Sequence, residues 1–288
     1  MPELPEVETV RLGLQRLLPG KAVKAVESNW DKSFPNAAGD VAQFVVGAEV
    51  VLVGRRAKVL LIELSSKYSL VVHLKMTGQL VYRGQEQFGA GHPNNSLIGE
   101  LPDRSTRVIL TFTDGSKLFF NDQRKFGWMR LIPTAEVMNI DFFKKVGPEP
   151  LSIDFTPEIF RERLQRRKNS TIKAAILDQT VLAGIGNIYA DEGLWGAKIH
   201  PSMRVRDLTK KQTTALYDAL MAVLKLSIEK GGSTDKNYVD AEGKKGSYLS
   251  FANVFRREGQ PCRRCGAIIE KIRVAGRGTH ICPNEQKL

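Results

Sequence analysis

The hydrophobic pattern of this 288-residue chain changes its period once, and that change restricts the possible folds more than any other feature. Up to about residue 132, Val, Leu and Ile form short dense runs separated by turn residues, and Asp114-Gly115 is typical of a tight hairpin. From residue 157 onward, apolar residues recur at helical spacing. Short strands separated by turn signals favour a β-sandwich or a barrel, and the helical spacing after them predicts a helical domain, so we expect an α+β protein.

Two helices have clear boundaries in the sequence. The first begins near Pro5, carries apolar residues at near-helical spacing and stops at Pro19-Gly20. It would precede the strands as a leading helix. The second has Thr209 as its predicted N-cap and ends at Gly231-Gly232.

The charge balance favours a polyanionic partner. Lys and Arg number 43 against 31 Asp and Glu, which gives a formal net charge of +12. Such an excess is typical of proteins that bind DNA, RNA or a membrane surface. The N-terminus lacks the basic and apolar regions of a signal peptide, and the apolar runs are too short to span a membrane. Three cysteines, all after residue 260, do not make a disulfide framework, so we expect a soluble intracellular protein.

The cysteines follow the pattern C-x2-C-x16-C, with Cys262, Cys265 and Cys282 in a basic tail. A fourth cysteine at position 285 would complete a zinc ribbon, but Glu285 stands there. The sequence therefore predicts a structural zinc on three thiolates, with Glu285 or His280 as the candidate fourth ligand. The alternative is a metal-free hairpin of the same shape.

Two segments favour contact with a phosphate backbone. Arg277 would lie in the turn of the basic hairpin, well placed for phosphate. The glycines at 184 and 186 precede a helix that begins near Asn187, and free N–H groups at a helix start bind phosphate. The basic segment just upstream includes Lys168 and Lys173. A turn without any ligand is the alternative interpretation of the glycines.

Three side chains of the β-rich half suit contact with bases. The predicted loop tips carry Met76 in one loop and Arg124 with Phe126 in another. An apolar residue beside an arginine at a loop tip can insert into a base stack. Core packing is the alternative for Met76 and Phe126, because apolar side chains are usually buried. Lys58 follows two arginines on a strand rim, where an exposed lysine is the default.

The chain begins with MPELPE, which combines a proline with two carboxylates. Removal of Met1 would leave Pro2 as a secondary amine, and such an amine can attack an aldehyde carbon to form a cationic iminium. The helix start close behind it would disfavour the ammonium form. Glu3 and Glu6 could share one face of the first turn, where a carboxyl in a dry pocket can act as general acid. Plain helix capping is the alternative explanation of the same residues.

Together these segments resemble bacterial formamidopyrimidine-DNA glycosylases, the 8-oxoguanine DNA glycosylase/AP lyases. The matching blocks are MPELPEVETVRLGL, RRAKVLLIEL, HLKMTGQL, DQRKFGWM, GIGNIYADEGLW and PCRRCG…GRGTHICP, which follow the family's order over essentially the whole chain. The related endonuclease VIII enzymes usually begin with Pro-Glu-Gly-Pro, so Leu4 favours the purine-directed branch.

The resemblance implies a role for each matching residue. Pro2 would be the Schiff-base nucleophile at C1′ of the damaged nucleotide, Glu3 the general acid/base and Glu6 its support. Lys58 would contact phosphate and assist β-elimination, and Arg277 would grip phosphate and assist δ-elimination. The resemblance also implies two sets of DNA contacts. The residues that would fill the gap left by the flipped base are Met76, Arg124 and Phe126. The residues that would bind backbone phosphates are Lys168, Lys173 and Asn187.

The resemblance also implies a domain order and partners. Residues 1–132 would form the catalytic β-sandwich, 133–156 a linker, 157–255 a helix–two-turn–helix DNA-binding domain with a lesion loop at 233–247, and 256–288 a zinc-finger-like β-hairpin. The partner would be double-stranded DNA with an oxidised purine or abasic site, and the cofactor a structural zinc without a catalytic metal. The protein would be a monomer of the bacterial cytoplasm, associated with the nucleoid by its function and not with a membrane.

Two departures from the family pattern are visible. Arg104-Ser105 stands where the family commonly has Lys-His, which removes a DNA-contacting histidine, and Glu285 replaces the last zinc cysteine. Two other functions remain open at this point. One is a non-catalytic relative that senses damaged or abasic DNA, which would have no need of Pro2 with Glu3. The other is an endonuclease VIII-like enzyme that acts on oxidised pyrimidines.

Overall fold

A computed structural model of the protein describes residues 2–92, 94–233 and 248–288. The chain divides into two compact units, residues 1–144 with 230–247 and residues 145–229 with 248–288. Apart from Ser233, the loop predicted over residues 233–247 lies outside the described residues. Within the described ranges, no helix is long and apolar enough to cross a membrane.

The first unit has helices beside two antiparallel sheets. Its helices are α1 (Leu4–Leu17), α2 (Ala38–Phe44) and α3 (Asp141–Lys145), the last of which ends at the unit boundary. One sheet has the strand order β1-β7-β8-β5-β6 and the other β2-β3-β4-β9. The strands are β1 (Val23–Ser28), β2 (Val50–Arg56), β3 (Val59–Leu64), β4 (Tyr68–His73), β5 (Gly78–Arg83), β6 (Gln87–Gly91), β7 (Thr106–Phe112), β8 (Lys117–Asp122) and β9 (Trp128–Pro133).

Both sheets bury one face in a shared core. Leu60 of β3 and Val72 of β4 belong to the same buried cluster as Leu80 of β5 and Phe120 of β8, and α1 adds Val10. Side chains alternate between the two faces of a strand, so every second residue reaches this core. The shared core makes the two sheets a sandwich, one of the two architectures that the strand pattern favours.

The second unit is helical and ends in a β-hairpin. Its helices are α4 (Pro157–Gln165), α5 (Ile172–Leu177), α6 (Asn187–Gly196), α7 (Lys210–Glu229) and α8 (Tyr248–Phe251), and the hairpin pairs β10 (Glu270–Val274) with β11 (Arg277–Ile281). Helices α6 and α7 approach closely at Gly193, where a Cβ would lie 2.4 Å from the Leu220 side chain. Leu220 and the buried Tyr189 belong to the core of this unit.

The predicted fold class, α+β with these three kinds of structure, is confirmed, and so are several local features. Helix α1 ends at Leu17, two residues before the predicted proline stop. The Asp114-Gly115 turn joins β7 to β8, and Gly115 has a positive φ of 84°. Thr209 caps α7, because its Oγ1 accepts a hydrogen bond of 3.1 Å from the Gln212 N–H.

Candidate active site

The start of α1 holds a buried cluster made of the N-terminal residues. Pro2 and Glu3 are buried, and the Glu3 N–H donates a 2.7 Å hydrogen bond to Glu6 Oε2 in a capping box. The other carboxylate oxygen of Glu6 accepts a 2.8 Å hydrogen bond from the Ser233 N–H. Gly232 packs on Glu6 with a φ of +85°, a conformation that favours glycine. Glu6 therefore joins the helix start to the chain segment that enters the predicted lesion loop.

Lys58 lies in the tight turn between β2 and β3 and is 6% exposed, so the default expectation of a solvent-exposed lysine is wrong. The ion pair between Arg55 and Glu8, which no sequence motif indicated, joins this turn to α1. Arg55 Nε donates to Glu8 Oε2 at 2.7 Å, and Arg55 Nη1 donates to the Ala57 carbonyl at 2.7 Å. These contacts connect helix α1, through Glu8 and Arg55, to Ala57, the residue next to Lys58.

The pKa values of Glu8 and His73 are shifted by the charges and the burial around them. Burial raises the pKa of Glu8, but hydrogen bonds from Arg11 and Arg55 outweigh it and hold the pKa below its usual value. Burial lowers the pKa of His73 to about 3, and repulsion from Lys75 and Lys58 adds to the effect. His73 is therefore a neutral imidazole at physiological pH.

The side chains predicted to enter the base stack lie together on the surface. Met76 is 41% and Phe126 is 53% exposed, so the core-packing alternative is wrong for both. Arg124 joins them, since its Nη1 lies 3.0 Å from Met76 Sδ and its guanidinium carbon lies 4.7 Å from the centre of the Phe126 ring. We call Met76, Arg124 and Phe126 the wedge.

Asp122 organises the loop that carries the wedge. It is fully buried, and its carboxylate accepts hydrogen bonds from the Thr77 hydroxyl and from the backbone N–H groups of Arg124, Phe126 (2.7 Å) and Gly127 (2.6 Å). Sequence reasoning missed Asp122. An aspartate at a strand end, just before a turn, is typical of a side chain that hydrogen-bonds its own loop.

In the second unit, Asn187 and the Arg277 hairpin lie together. Asn187 begins α6, and its Nδ2 donates a 3.0 Å hydrogen bond to the Gly278 carbonyl in β11. Arg277 is exposed at the start of β11, directly after the turn. Lys168 is exposed in the segment between α4 and α5. The placement of these three residues is compatible with contact to a phosphate backbone.

Lys173 corrects one prediction. It is fully buried, and its ammonium contacts Asp191 Oδ1 at 2.6 Å, Thr279 Oγ1 at 2.7 Å and the Gly278 carbonyl at 3.2 Å. A phosphate contact from this position would require breaking a buried ion pair, which is costly. Lys173 instead joins α5 and α6 to β11, the strand that carries Arg277.

The three cysteines converge into a metal-ligating group. Their sulfur atoms lie within 4.8 Å of one another, and Cys265 Sγ is 3.4 Å from Cys282 Sγ. Burial raises the pKa of Cys262, but the N–H groups of Arg264 and Cys265 outweigh it and lower the pKa to about 7. Burial, together with the neighbouring Cys265 and Cys262, raises the pKa of Cys282 to about 11, so zinc would have to displace the proton of that thiol. The residues present fit a structural zinc held by Cys262, Cys265 and Cys282.

Among the described residues, the cluster of possible metal ligands consists of the three cysteines and includes neither Glu285 nor His280. Glu285 Oε2 contacts Lys198 Nζ at 2.8 Å and Arg264 Nη1 at 3.0 Å, so two cations hold its carboxylate. His280 lies in β11, where its Nδ1 is 3.1 Å from Asp191 Oδ2. In this arrangement both side chains are engaged with other partners, and the identity of a fourth zinc ligand stays a prediction.

Three family models match the chain. The Formamidopyrimidine-DNA glycosylase N-terminal domain matches residues 1–129, the Formamidopyrimidine-DNA glycosylase H2TH domain matches residues 146–238, and the zinc finger found in FPG and IleRS matches residues 259–284. The curated Formamidopyrimidine-DNA glycosylase of Latilactobacillus sakei is 41% identical over 99% of this chain and 98% of its own length. That of Herpetosiphon aurantiacus is 43% identical over 98% of each chain.

Solved structures agree with the family models. A mutant Lactococcus lactis FPG in complex with Fapy-dG-containing DNA has a TM-score of 0.87, with 34% identity and full coverage of both chains. A structure of MutM in complex with carbocyclic 8-oxo-G-containing DNA has a TM-score of 0.85, also with 34% identity and full coverage. From the family models and from relatives of this identity over nearly the whole length, the chain belongs to the formamidopyrimidine-DNA glycosylase family.

Proposed function

We propose that the protein is a base-excision repair enzyme that removes oxidised purines from duplex DNA and then cleaves the abasic strand. The observation that carries the proposal is the buried start of α1, where Pro2 and Glu3 lie together behind the capping contact to Glu6. Support comes from the relatives. Lactococcus lactis FPG structures contain Fapy-dG or an abasic site, and a MutM structure contains an 8-oxo-G analogue.

The chemistry needs an unprotonated amine and a proton donor at one sugar. After removal of Met1, the nitrogen of Pro2 attacks C1′, and the bond from C1′ to the damaged base breaks with its electron pair leaving on the base, which takes up the proton that the Pro2 nitrogen then releases. Glu3 supplies the proton for opening of the sugar ring, which yields an iminium between Pro2 and C1′. The iminium acidifies C2′, so the strand breaks by elimination on the 3′ side and then on the 5′ side. Lys58 and Arg277 assist these two eliminations as phosphate contacts.

Access to C1′ requires a flipped nucleotide. Extrusion of a base costs a few kcal/mol, and a wedge that fills the gap offsets part of that cost. Met76, Arg124 and Phe126 are assigned to this task, while Lys168 and Asn187 hold backbone phosphates. A zinc ion on Cys262, Cys265 and Cys282 has a structural role in this scheme, because it would cross-link the segment that precedes β10 to the one that follows β11.

The predicted division of labour follows the same lines. Residues 1–132 would carry the catalysis, residues 133–156 would link the domains, and residues 157–255 and 256–288 would hold the DNA. The relatives named above are bacterial and the proposed substrate is duplex DNA, so we place the protein in the bacterial cytoplasm with the nucleoid. The expectation of a monomer, which the resemblance implies, is part of the same proposal.

Borohydride trapping on a duplex with one 8-oxoguanine tests the proposal. We expect a covalent protein–DNA complex whose linked residue maps to Pro2 by mass spectrometry. Pro2→Gly should trap far less, whereas Pro5→Ala, a change in the same helix start, should trap like the unaltered protein. Full trapping by Pro2→Gly would refute the assigned nucleophile, and the absence of both trapping and strand cleavage would favour a protein that only binds damaged DNA.

Oxidised pyrimidines are a second candidate substrate class. A wild-type Lactococcus lactis FPG structure, with a TM-score of 0.86 and 33% identity, is a complex with an oxidised pyrimidine-containing DNA. Single-turnover cleavage of matched duplexes that carry 8-oxoguanine or thymine glycol separates the two classes. Faster cleavage of the thymine glycol duplex would overturn the assignment to purines.

A further inference from the structure

Three exposed cations of the second unit meet at Asn169, in the segment between α4 and α5. Arg204 Nη1 donates a 3.1 Å hydrogen bond to the Asn169 carbonyl, and Arg206 Nη1 donates one of 3.4 Å to Asn169 Oδ1. Lys168 joins the same group, because its carbonyl accepts a 3.0 Å hydrogen bond from the Arg206 N–H. We call Lys168, Arg204 and Arg206 the Asn169 patch.

Backbone hydrogen bonds hold the two segments that carry the patch side by side. The Ile172 N–H donates to the Met203 carbonyl at 2.7 Å, and the Val205 N–H donates to the Ser170 carbonyl at 3.1 Å. Ile172 and Val205 are buried in the core of the second unit, so both segments are anchored. Packing therefore assembles the patch from positions that lie far apart in the chain, and no sequence motif indicated the two arginines.

The patch has little negative charge of its own. In the described parts of the chain, Lys168 and Arg204 form an ion pair with no carboxylate. Arg206 approaches Asp207, with its Nε 3.7 Å from Oδ1, and the two side chains are 56% and 58% exposed. An ion pair so open to water is weak and is screened by salt. The three cations therefore keep an excess of positive charge at the surface.

The basic residues next to the patch are different. Arg166 pairs with Glu162 at 3.1 Å, one turn earlier in the chain, and Arg167 pairs with Asp178. These two arginines are already neutralised in part by carboxylates of the same unit. The contrast separates the Asn169 patch from the rest of this basic surface.

The donor groups of the patch suit phosphate oxygens. Arg204 and Arg206 each use one guanidinium N–H on Asn169, and a guanidinium has five such donors. Two guanidinium groups held on one residue repel each other, and a neighbouring anion relieves that repulsion. The planar guanidinium matches phosphate in bidentate geometry. Duplex DNA presents phosphates as a continuous row, with one charge per about 1.7 Å of helix axis, so it can occupy all three cations together.

We propose that the Asn169 patch binds backbone phosphates of duplex DNA whether or not the duplex carries a lesion. Arg204 and Arg206 are the new contacts, and the inference rests on the proposed function, in which Lys168 holds a phosphate. Phosphate contacts position a protein on the duplex and carry no base information. The patch therefore holds undamaged DNA during the search for a lesion as firmly as it holds damaged DNA.

The test measures affinity for an undamaged duplex and for a duplex with a tetrahydrofuran abasic analogue, by fluorescence anisotropy over a series of salt concentrations. Each lost phosphate contact should reduce the slope of log affinity against log salt by about 0.9. Arg204→Ala and Arg206→Ala should each weaken binding to both duplexes roughly 8-fold at about 0.1 M salt, and the double variant about 60-fold. The ratio of the two affinities should stay as in the unaltered protein.

Two control variants separate a phosphate contact from other effects. Lys225→Ala removes one exposed cation from α7 of the same unit, and it should change the slope by less than about 0.3. The double variant Arg204→Lys with Arg206→Lys keeps both charges and should keep most of the slope. An unchanged slope in the double alanine variant, or an equal loss in Lys225→Ala, would overturn the inference. So would a loss that the lysine variant shares together with a lower urea midpoint, because the arginines would then be structural.

The inference and the proposed function fail in different ways. Absence of borohydride trapping by the unaltered protein, with the salt slopes as expected, refutes the proposed catalysis and leaves the patch as a DNA-binding surface. Normal trapping with unaltered slopes in the alanine variants refutes only the patch. Weaker binding of the double alanine variant to a matched RNA duplex, without weaker binding to the DNA duplex, assigns the surface to RNA and also overturns the inference.

Discussion

Replacement of Asp122 by alanine is the sharpest test of how the wedge loop is held. The carboxylate accepts hydrogen bonds from one hydroxyl and three backbone N–H groups, and the side chain is fully buried. Alanine leaves these donors without their acceptor. The loop also holds Lys125 at a φ of +58°, a conformation that non-glycine residues adopt rarely, so it depends on such contacts.

The expected magnitude follows from which donors can find water. Arg124 and Phe126 are exposed, so their N–H groups can be rehydrated at little cost. Thr77 and Gly127 are buried, and each loses a bond to a charged acceptor worth roughly 1.5–3 kcal/mol. Asp122→Ala should therefore lower the free energy of unfolding of the first unit by about 3–5 kcal/mol.

Urea denaturation followed by tryptophan fluorescence measures this loss, because Trp30 and Trp128 lie in the first unit. Asp114→Ala is the matched control. Asp114 also accepts from a serine and pairs with Lys21, but its side chain is 48% exposed, and an exposed pair is worth about 0–1 kcal/mol. If the free energies of unfolding of Asp122→Ala and Asp114→Ala differ by less than about 0.5 kcal/mol, the argument that Asp122 organises the loop is refuted.

Three other outcomes follow from the structure. Lys173→Met should lower the free energy of unfolding of the second unit by about 3–5 kcal/mol, because the buried Asp191 carboxylate loses its cation. Thermal denaturation should show that the double variant Lys173→Met with Asp191→Asn regains part of the lost stability. The pKa of Glu8 is lowered by folding, so its contribution to stability is present above about pH 4.5 and is lost as the pH falls through the folded-state pKa; Glu8→Gln should flatten that fall in Tm against pH, and an unchanged slope would contradict it. Purified protein should contain about one zinc ion, and removing it with a chelator should abolish amide-exchange protection in β10 and β11 while leaving the urea midpoint of the first unit unchanged.

Much of the fold was readable from local pattern. The helix from Pro5, the hairpin at Asp114-Gly115 and the cap at Thr209 depend on neighbours within a few residues, and each is found where the sequence predicts it. Local signals of this kind need no knowledge of what packs against them.

Only the tertiary structure decided which polar side chains face a partner and which are used internally. Lys173 is basic and lies in a basic segment, yet Asp191 and Thr279, 18 and 106 residues further along the chain, enclose it. Glu285 stands at a zinc-ligand position, yet its carboxylate is held by Lys198 and Arg264.

The physical reason is that hydrophobic periodicity is a property of a segment, whereas the partner of a charge is a property of the packed chain. A buried ammonium or carboxylate must find an opposite charge or several hydrogen bonds, and the groups that supply them come from distant positions. By itself the sequence determined the order of sheets, helices and hairpin. The tertiary structure decided that Asp122 holds the wedge loop and that Lys173 supports the hairpin.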